Sequence, residues 1–143
     1  MKLILSILLL ITLTTTQAAP SKQVSYKQEL KCMTSAIFYE ANTEDEAGKI
    51  AVAHVIKNRT KSKHHPHGVC NVILEPGQFQ WTKKREIEYV PDVSKLAHEV
   101  LTGKIPDNTK GSTHFHRKDL KPGWRNLERT VSIGNHKFYR YPS

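Results

Sequence analysis

This sequence is poor in acids. Thirteen Asp and Glu stand against 22 Lys and Arg in 143 residues, a formal net charge of +9. Two cysteines, Cys32 and Cys70, exclude a disulfide-dense scaffold and a cysteine-built zinc centre. The longest apolar run, Leu3 to Leu13, is too short to span a bilayer comfortably. Internal repeats and low-complexity segments are absent. So are His-Glu-x-x-His, Cys-x-x-Cys and Gly-x-Ser-x-Gly, which removes the usual zinc-peptidase, thiol-redox and serine-hydrolase signatures. The excess of positive charge favours polyanions such as nucleic acid, anionic lipid or acidic wall polymers. Its basic residues form only short clusters, Lys57 to Lys63 and Lys83-Lys84-Arg85, with no basic arm and no nucleic-acid motif, so nucleic acid is not expected as a partner.

What is present fits one domain. Met1-Lys2, the apolar run and Thr14-Thr15-Thr16-Gln17-Ala18-Ala19 have the layout of a secretory signal peptide, residues 1–19, followed by a single domain over 20–143. Cleavage is expected after Ala18 or Ala19, with Pro20 disfavouring the later site. Loss of Lys2 leaves a charge of +8. Export to the periplasm, the wall or the medium follows, with no stable membrane insertion once the segment is removed. In such an oxidising compartment Cys32 and Cys70 are expected to pair, the alternative being two buried free thiols.

Along the chain, Leu30, Met33, Thr34, Ile37, Phe38 and Ala41 recur at helical spacing, with Glu40 on the flank of that stripe. Thr43 and Glu46 have capping-box spacing, which gives the acids Glu44, Asp45 and Glu46 a structural role at a helix N-terminus. The helix predicted next, Ala47 to about Thr60, is apolar nearly all round and carries His54 as a core or cleft-wall residue. Lys61 to Gly68 is a loop whose histidines have no partner carboxylate in view. Val69 to Leu74 is a short apolar segment. Gln78-Phe79-Gln80-Trp81 is predicted as extended, amides on one side and aromatics on the other. A third main helix spans Val93 to about Thr102 between Pro91-Asp92 and Gly103. Thr113 to His116 is a short strand, and Thr130 to Arg140, turning at Gly134-Asn135, is a β-hairpin. The predicted class is α+β: three main helices, then short antiparallel strands.

Glu40 is the first candidate for chemistry. It sits beside an apolar face at a helix C-terminus. Desolvation and the negative end of the helix dipole both disfavour its charged form. A carboxylic acid that keeps its proton near neutral pH is what glycosidic cleavage needs. The plainer alternative is a solvated residue at a helix end. Phe79, Trp81, Trp124, Phe138 and Tyr139, with Gln78 and Gln80, supply faces and amides that suit sugars, or else a small core. A zinc site from His114, His116 and His136 is the competing constellation.

Several ordered blocks resemble the SleB-type cell-wall hydrolase family, which includes the catalytic domains of spore-cortex-lytic enzymes. They are Cys32 with residues 36–41, Ala-Ile-Phe-Tyr-Glu-Ala; 47–53, Ala-Gly-Lys-Ile-Ala-Val-Ala; and 55–59, Val-Ile-Lys-Asn-Arg. Val69-Cys70, Gln78 to Trp81, Thr113 to His116 and Ile133 to Arg140 follow in order. The resemblance implies a monomeric, lysozyme-like domain that cleaves peptidoglycan glycan strands without a metal or cofactor. It implies Glu40 as general acid and then base of a lytic transglycosylation leaving 1,6-anhydro-muramic ends. Gln78, Trp81, His116 and Tyr139 are implied as substrate contacts. The alternatives are a water-using muramidase or glucosaminidase, and a non-catalytic basic wall-binding module. Asn42-Thr43-Glu44 stands where the family often has Arg-Gly-Glu, and Gln80 where it often has Ser.

Overall fold

The computed structural model describes residues 24–143; the expected signal peptide lies outside the described residues. Helix α1, Tyr26–Ala41, starts where the Ser25 hydroxyl accepts a hydrogen bond from the Gln28 N–H. The expected stripe is buried at Met33, Thr34, Ile37 and Ala41, and burial runs without a break from Cys32 to Ile37, wider than the spacing alone implies. Helix α2, Glu46–Lys61, runs through the middle of the molecule. Ala51 to Ile56 are buried without a break, His54 included, because this helix is packed on both sides. Helices α3, Val69–Leu74, and α4, Ser94–Leu101, close the helical layer. The class is the expected α+β, with four α-helices among the described residues where three main ones were expected: the short apolar segment at Val69 is itself helical.

Three strands follow: β1, His114–Arg117; β2, Glu128–Ile133; and β3, His136–Arg140. They form an antiparallel sheet in the order β1-β3-β2, with the expected hairpin turning at Gly134-Asn135. Pairing of Phe115 with Phe138 and of Arg117 with His136 puts those four on one face; His114, His116, Lys137 and Tyr139 take the other. The first face packs on α2, where Ala51, Val55 and Phe138 form a small cluster with Phe115. The larger core lies among the helices, with Met33, Ile37, Val52, Ile56, Ile73 and Val100 fully buried. Each such side chain contributes about 1.5–3 kcal/mol by leaving water. A disulfide joins Cys32 of α1 to Cys70 of α3, 38 residues on. The Val69 N–H donates to the Glu29 carboxylate beside it.

Two local expectations change. Thr43 does not cap α2. The Glu44 N–H closes a turn on the Ala41 carbonyl at 3.0 Å, and Asp45 takes the cap, its carboxylate accepting from the Gly48 N–H at 2.8 Å. That frees Glu44 to turn inward. The stretch at Gln78 is not a strand: Gln80–Lys83 is a turn of 3-10 helix. The sidedness survives, with Gln78 and Gln80 exposed, Phe79 buried and Trp81 half-buried.

Candidate active site

Glu40 occupies the last turn of α1, which carries no basic residue to offset the helix dipole. Its side chain lines a cleft of about 540 Å³. The walls are the α1–α2 corner, with Thr43 and Glu44, and the far end of the sheet, with Arg117, Asn135 and His136. Burial raises the Glu40 carboxyl to a pKa of about 6, against the opposing pull of the Trp81 N–H and the Arg59 guanidinium. Roughly one molecule in ten therefore keeps this proton at pH 7, and most do at pH 5.

The two opposing groups are placed by the core. Trp81 stacks on Tyr39 at 4.7 Å between ring centres, and Tyr39 donates its hydroxyl proton to Glu88 at 2.8 Å. The Trp81 indole N–H is buried without a full hydrogen bond to another group in the protein. Arg59 is 5 % exposed, near the C-terminal end of α2. Its Nε donates to the Thr113 carbonyl at 2.6 Å, and its guanidinium lies over the Phe79 ring, 5.3 Å from the centroid. Burial lowers its pKa to about 10, partly offset by Glu75 and Glu40, so it stays cationic at neutral pH.

Glu44 is a second carboxylate on this cleft, and assigning it to a helix N-terminus missed where it goes. Its side chain is 4 % exposed. Oε2 accepts from the Asn135 N–H at 3.0 Å, and Oε1 lies 3.7 Å from His136 Nδ1. Gly48 and Gly134 make the space: a Cβ would stand 2.7 Å from Glu44 Cβ at the first and 1.9 Å from Oε2 at the second. Burial lowers the His136 pKa more than Glu44 raises it, so the ring is neutral at pH 7. The third acid, Asp119, is exposed and paired side-on with Arg117 at 2.8 and 3.1 Å.

The remaining predicted contacts divide. His116 and Tyr139 come together on the outer face of the sheet, stacked at 5.3 Å and joined by a hydrogen bond of 2.9 Å between ring Nε2 and the hydroxyl. Gln78 stands exposed before the 3-10 turn. The zinc constellation does not converge, because His114 and His116 lie on the outer face and His136 on the inner one. Among the described residues no group of three or more His, Cys, Asp or Glu is disposed to hold a metal. One of the loop histidines does find a carboxylate: His65 Nδ1 lies 2.9 Å from Glu75 Oε2. His54 bonds the Ile105 carbonyl at 3.1 Å, a satisfied core histidine.

Comparison with known proteins places these features in context. The family model described as Cell Wall Hydrolase matches residues 43–139, a span that starts three residues after Glu40. The chain is 32 % identical over 114 residues to a spore cortex-lytic enzyme of Halalkalibacterium halodurans, covering 77 % of this chain and 34 % of that one. A spore cortex-lytic enzyme of Oceanobacillus iheyensis is 31 % identical over 129 residues, covering 86 % and 46 %. The chain thus spans about a third of the length of the first of these relatives. The crystal structure of the catalytic domain of the Bacillus cereus SleB protein superposes with a TM-score of 0.73 at 25 % identity, covering 82 % of this chain and 94 % of that one. The catalytic domain of the germination-specific lytic transglycosylase SleB from Bacillus anthracis gives a TM-score of 0.73 at 26 % identity, covering 84 % and 99 %.

Proposed function

The chain belongs to the cell wall hydrolase family, and on that footing we propose that it is an exported peptidoglycan lytic transglycosylase whose catalytic unit is residues 20–143 and whose proton donor is Glu40. Glu40 gives its proton to the oxygen bridging N-acetylmuramic acid to N-acetylglucosamine, and the bond from that oxygen to C1 of the muramic residue breaks. The muramic C6 hydroxyl closes on C1, and its proton passes to the Glu40 carboxylate. The product is a 1,6-anhydro ring, and the acid is restored. One carboxylate serves both steps.

The observation that carries this reading is the contrast among the acids of one cleft. Glu40 is held with its pKa near 6. Glu44 is nearly buried, with Oε2 taken up by the Asn135 N–H and Oε1 turned toward His136, which suits a carboxylate that anchors the hairpin. Asp119 is an exposed surface pair, and a water-using muramidase or glucosaminidase would have to recruit it as base. The stacked Trp81 and the His116–Tyr139 pair support roles as substrate contacts. Gln78, exposed at the start of its turn, is kept as a contact that reaches a bound strand from outside. The charge of +8 after signal removal draws the protein to an anionic wall. No helix among the described residues is long and apolar enough to cross a membrane. On this reading the protein acts as a monomer and needs no cofactor.

Digestion of purified peptidoglycan followed by mass analysis of the products tests the reading. Anhydro-muramic ends are expected. Reducing ends would assign the chain to the water-using enzymes, and release of no soluble fragments would make it a binding module.

A further inference from the structure

The connection from β1 to β2 sets Trp124 against the outer face of the sheet. Three rings brace the indole: His114 at 5.2 Å, Tyr139 at 5.6 Å and His116 at 5.7 Å, with interplanar angles of 71–77°. Yet Trp124 is 41 % exposed. An aromatic that filled a core would be buried. One carried idly on a loop would not be packed edge-to-face against three rings of the sheet. Beside it lies a depression of about 230 Å³, lined by His116, Leu120, Lys121, Lys137 and Tyr139 among others. That volume is below the range of pockets that hold drug-sized ligands, and it suits a single sugar ring.

This depression shares no residue with the Glu40 cleft, and it adjoins that cleft all the same. Arg117 and His136 line the cleft; their chain neighbours His116 and Lys137 line the depression, on the opposite face of the same strands. Strand β1 is an edge of the sheet, so a ligand passing round it reaches both faces.

We propose that the depression at Trp124 is a second sugar-binding site, taking a pyranose ring against the indole and a carboxylate on that sugar's substituent between Lys121 and Lys137. It rests on the reading of the substrate as peptidoglycan, whose muramic residues carry a lactyl group and peptide. The aromatic face supplies the apolar contact for the ring's C–H face. The two ammonium groups supply a salt-sensitive attraction for the anion. The site holds a remote part of the strand and takes no part in bond cleavage, so it acts on affinity and leaves turnover alone.

The test uses the mature chain carrying Glu40→Gln, which prevents digestion, and peptidoglycan stripped of wall phosphate polymers, which leaves carboxylate as the anion. Adding Trp124→Ala is expected to weaken binding about three- to tenfold, with Trp124→Phe recovering most of the loss. Lys121→Gln with Lys137→Gln is expected to weaken binding to peptidoglycan and flatten its salt dependence, while leaving binding to uncharged N-acetylglucosamine oligomers unchanged. In the active chain, Trp124→Ala is expected to raise KM on long strands at constant kcat. Equal binding with and without Trp124, in chains of equal thermal stability, overturns the second site and leaves the proposed function standing. If Trp124→Ala lowers thermal stability, the Phe and lysine variants decide. No binding by the Glu40→Gln chain itself overturns the substrate reading and the second site together.

Discussion

The Glu44 carboxylate accepts a hydrogen bond from the backbone N–H of Asn135 at 3.0 Å, joining the α1–α2 corner to the hairpin turn across 91 residues of chain. Gly134 is what allows this contact, with φ at +54° and the Glu44 Oε2 atom where a Cβ would stand. Gly134→Ala is therefore expected to destabilise the fold by more than about 2 kcal/mol, through the clash and the left-handed backbone together. Glu44→Ala should cost about 1–3 kcal/mol by leaving the Asn135 N–H without its acceptor. Urea titration of both variants checks the order.

Glu40→Gln is expected to abolish release of soluble muropeptides while the fold is kept. Its effect on stability has a definite sign. The folded pKa of about 6 lies above the ordinary value of 4.5. The native state is therefore favoured by protonation below pH 4.5, and that advantage is lost as pH rises through 6. Removing the titration should make the variant more stable than wild type by up to about 2 kcal/mol at pH 8, with the gap closing toward pH 4. Thermal melts at the two pH values measure it.

Activity should fall about tenfold per pH unit above pH 6, because the protonated acid is the active form. Arg59 lowers the Glu40 pKa. Arg59→Met should therefore move this alkaline edge to higher pH, alongside a loss of stability from the broken bond to Thr113. A pH–rate profile in which the edge stays still would show that Arg59 does not act on Glu40.

Asp119→Asn should leave activity within about threefold of wild type, since a surface pair contributes little and the one-acid route does not use it. A loss of a hundredfold or more would identify Asp119 as the base of a water-using reaction.

Cys32→Ser with Cys70→Ser is expected to cost up to about 4 kcal/mol, the chain-entropy value for a loop of this length. The larger core that surrounds the bridge should keep the variant folded at 25 °C, visible as a lower melting temperature with an unchanged circular dichroism spectrum below it.

The helices and the hairpin were legible because their signals are periodic and local. Met33 and Ile37 mark one face of α1, and Gly134-Asn135 marks a turn. Glu40 could be picked out for the same reason, since helix position and apolar neighbours are sequence properties. Glu44 was read wrongly because Thr43 and Glu46 have capping-box spacing, which gives every acid of that turn a role at the helix N-terminus. Its actual partner, Asn135, is brought near only by the folding of the whole sheet. The two close-packed glycines, Gly48 and Gly134, were the available clue. Arg59 was visible as a cation at the end of an apolar helix, yet its company of Phe79, Thr113 and Glu40 comes from three distant segments. The zinc idea failed on strand alternation, which puts His136 opposite Arg117 and faces it away from His116.

The link between Glu44 and Asn135 also sets where this chain can change length. Glu40 and Glu44 are separated by three residues, and both ends of that interval are fixed, one by α1 and the other by the hairpin. A single inserted or deleted residue between them would turn the acid away from the cleft or pull the anchor from its slot. A chain grafted from a relative should therefore carry the interval from Glu40 to Glu44 and the hairpin turn together as one unit.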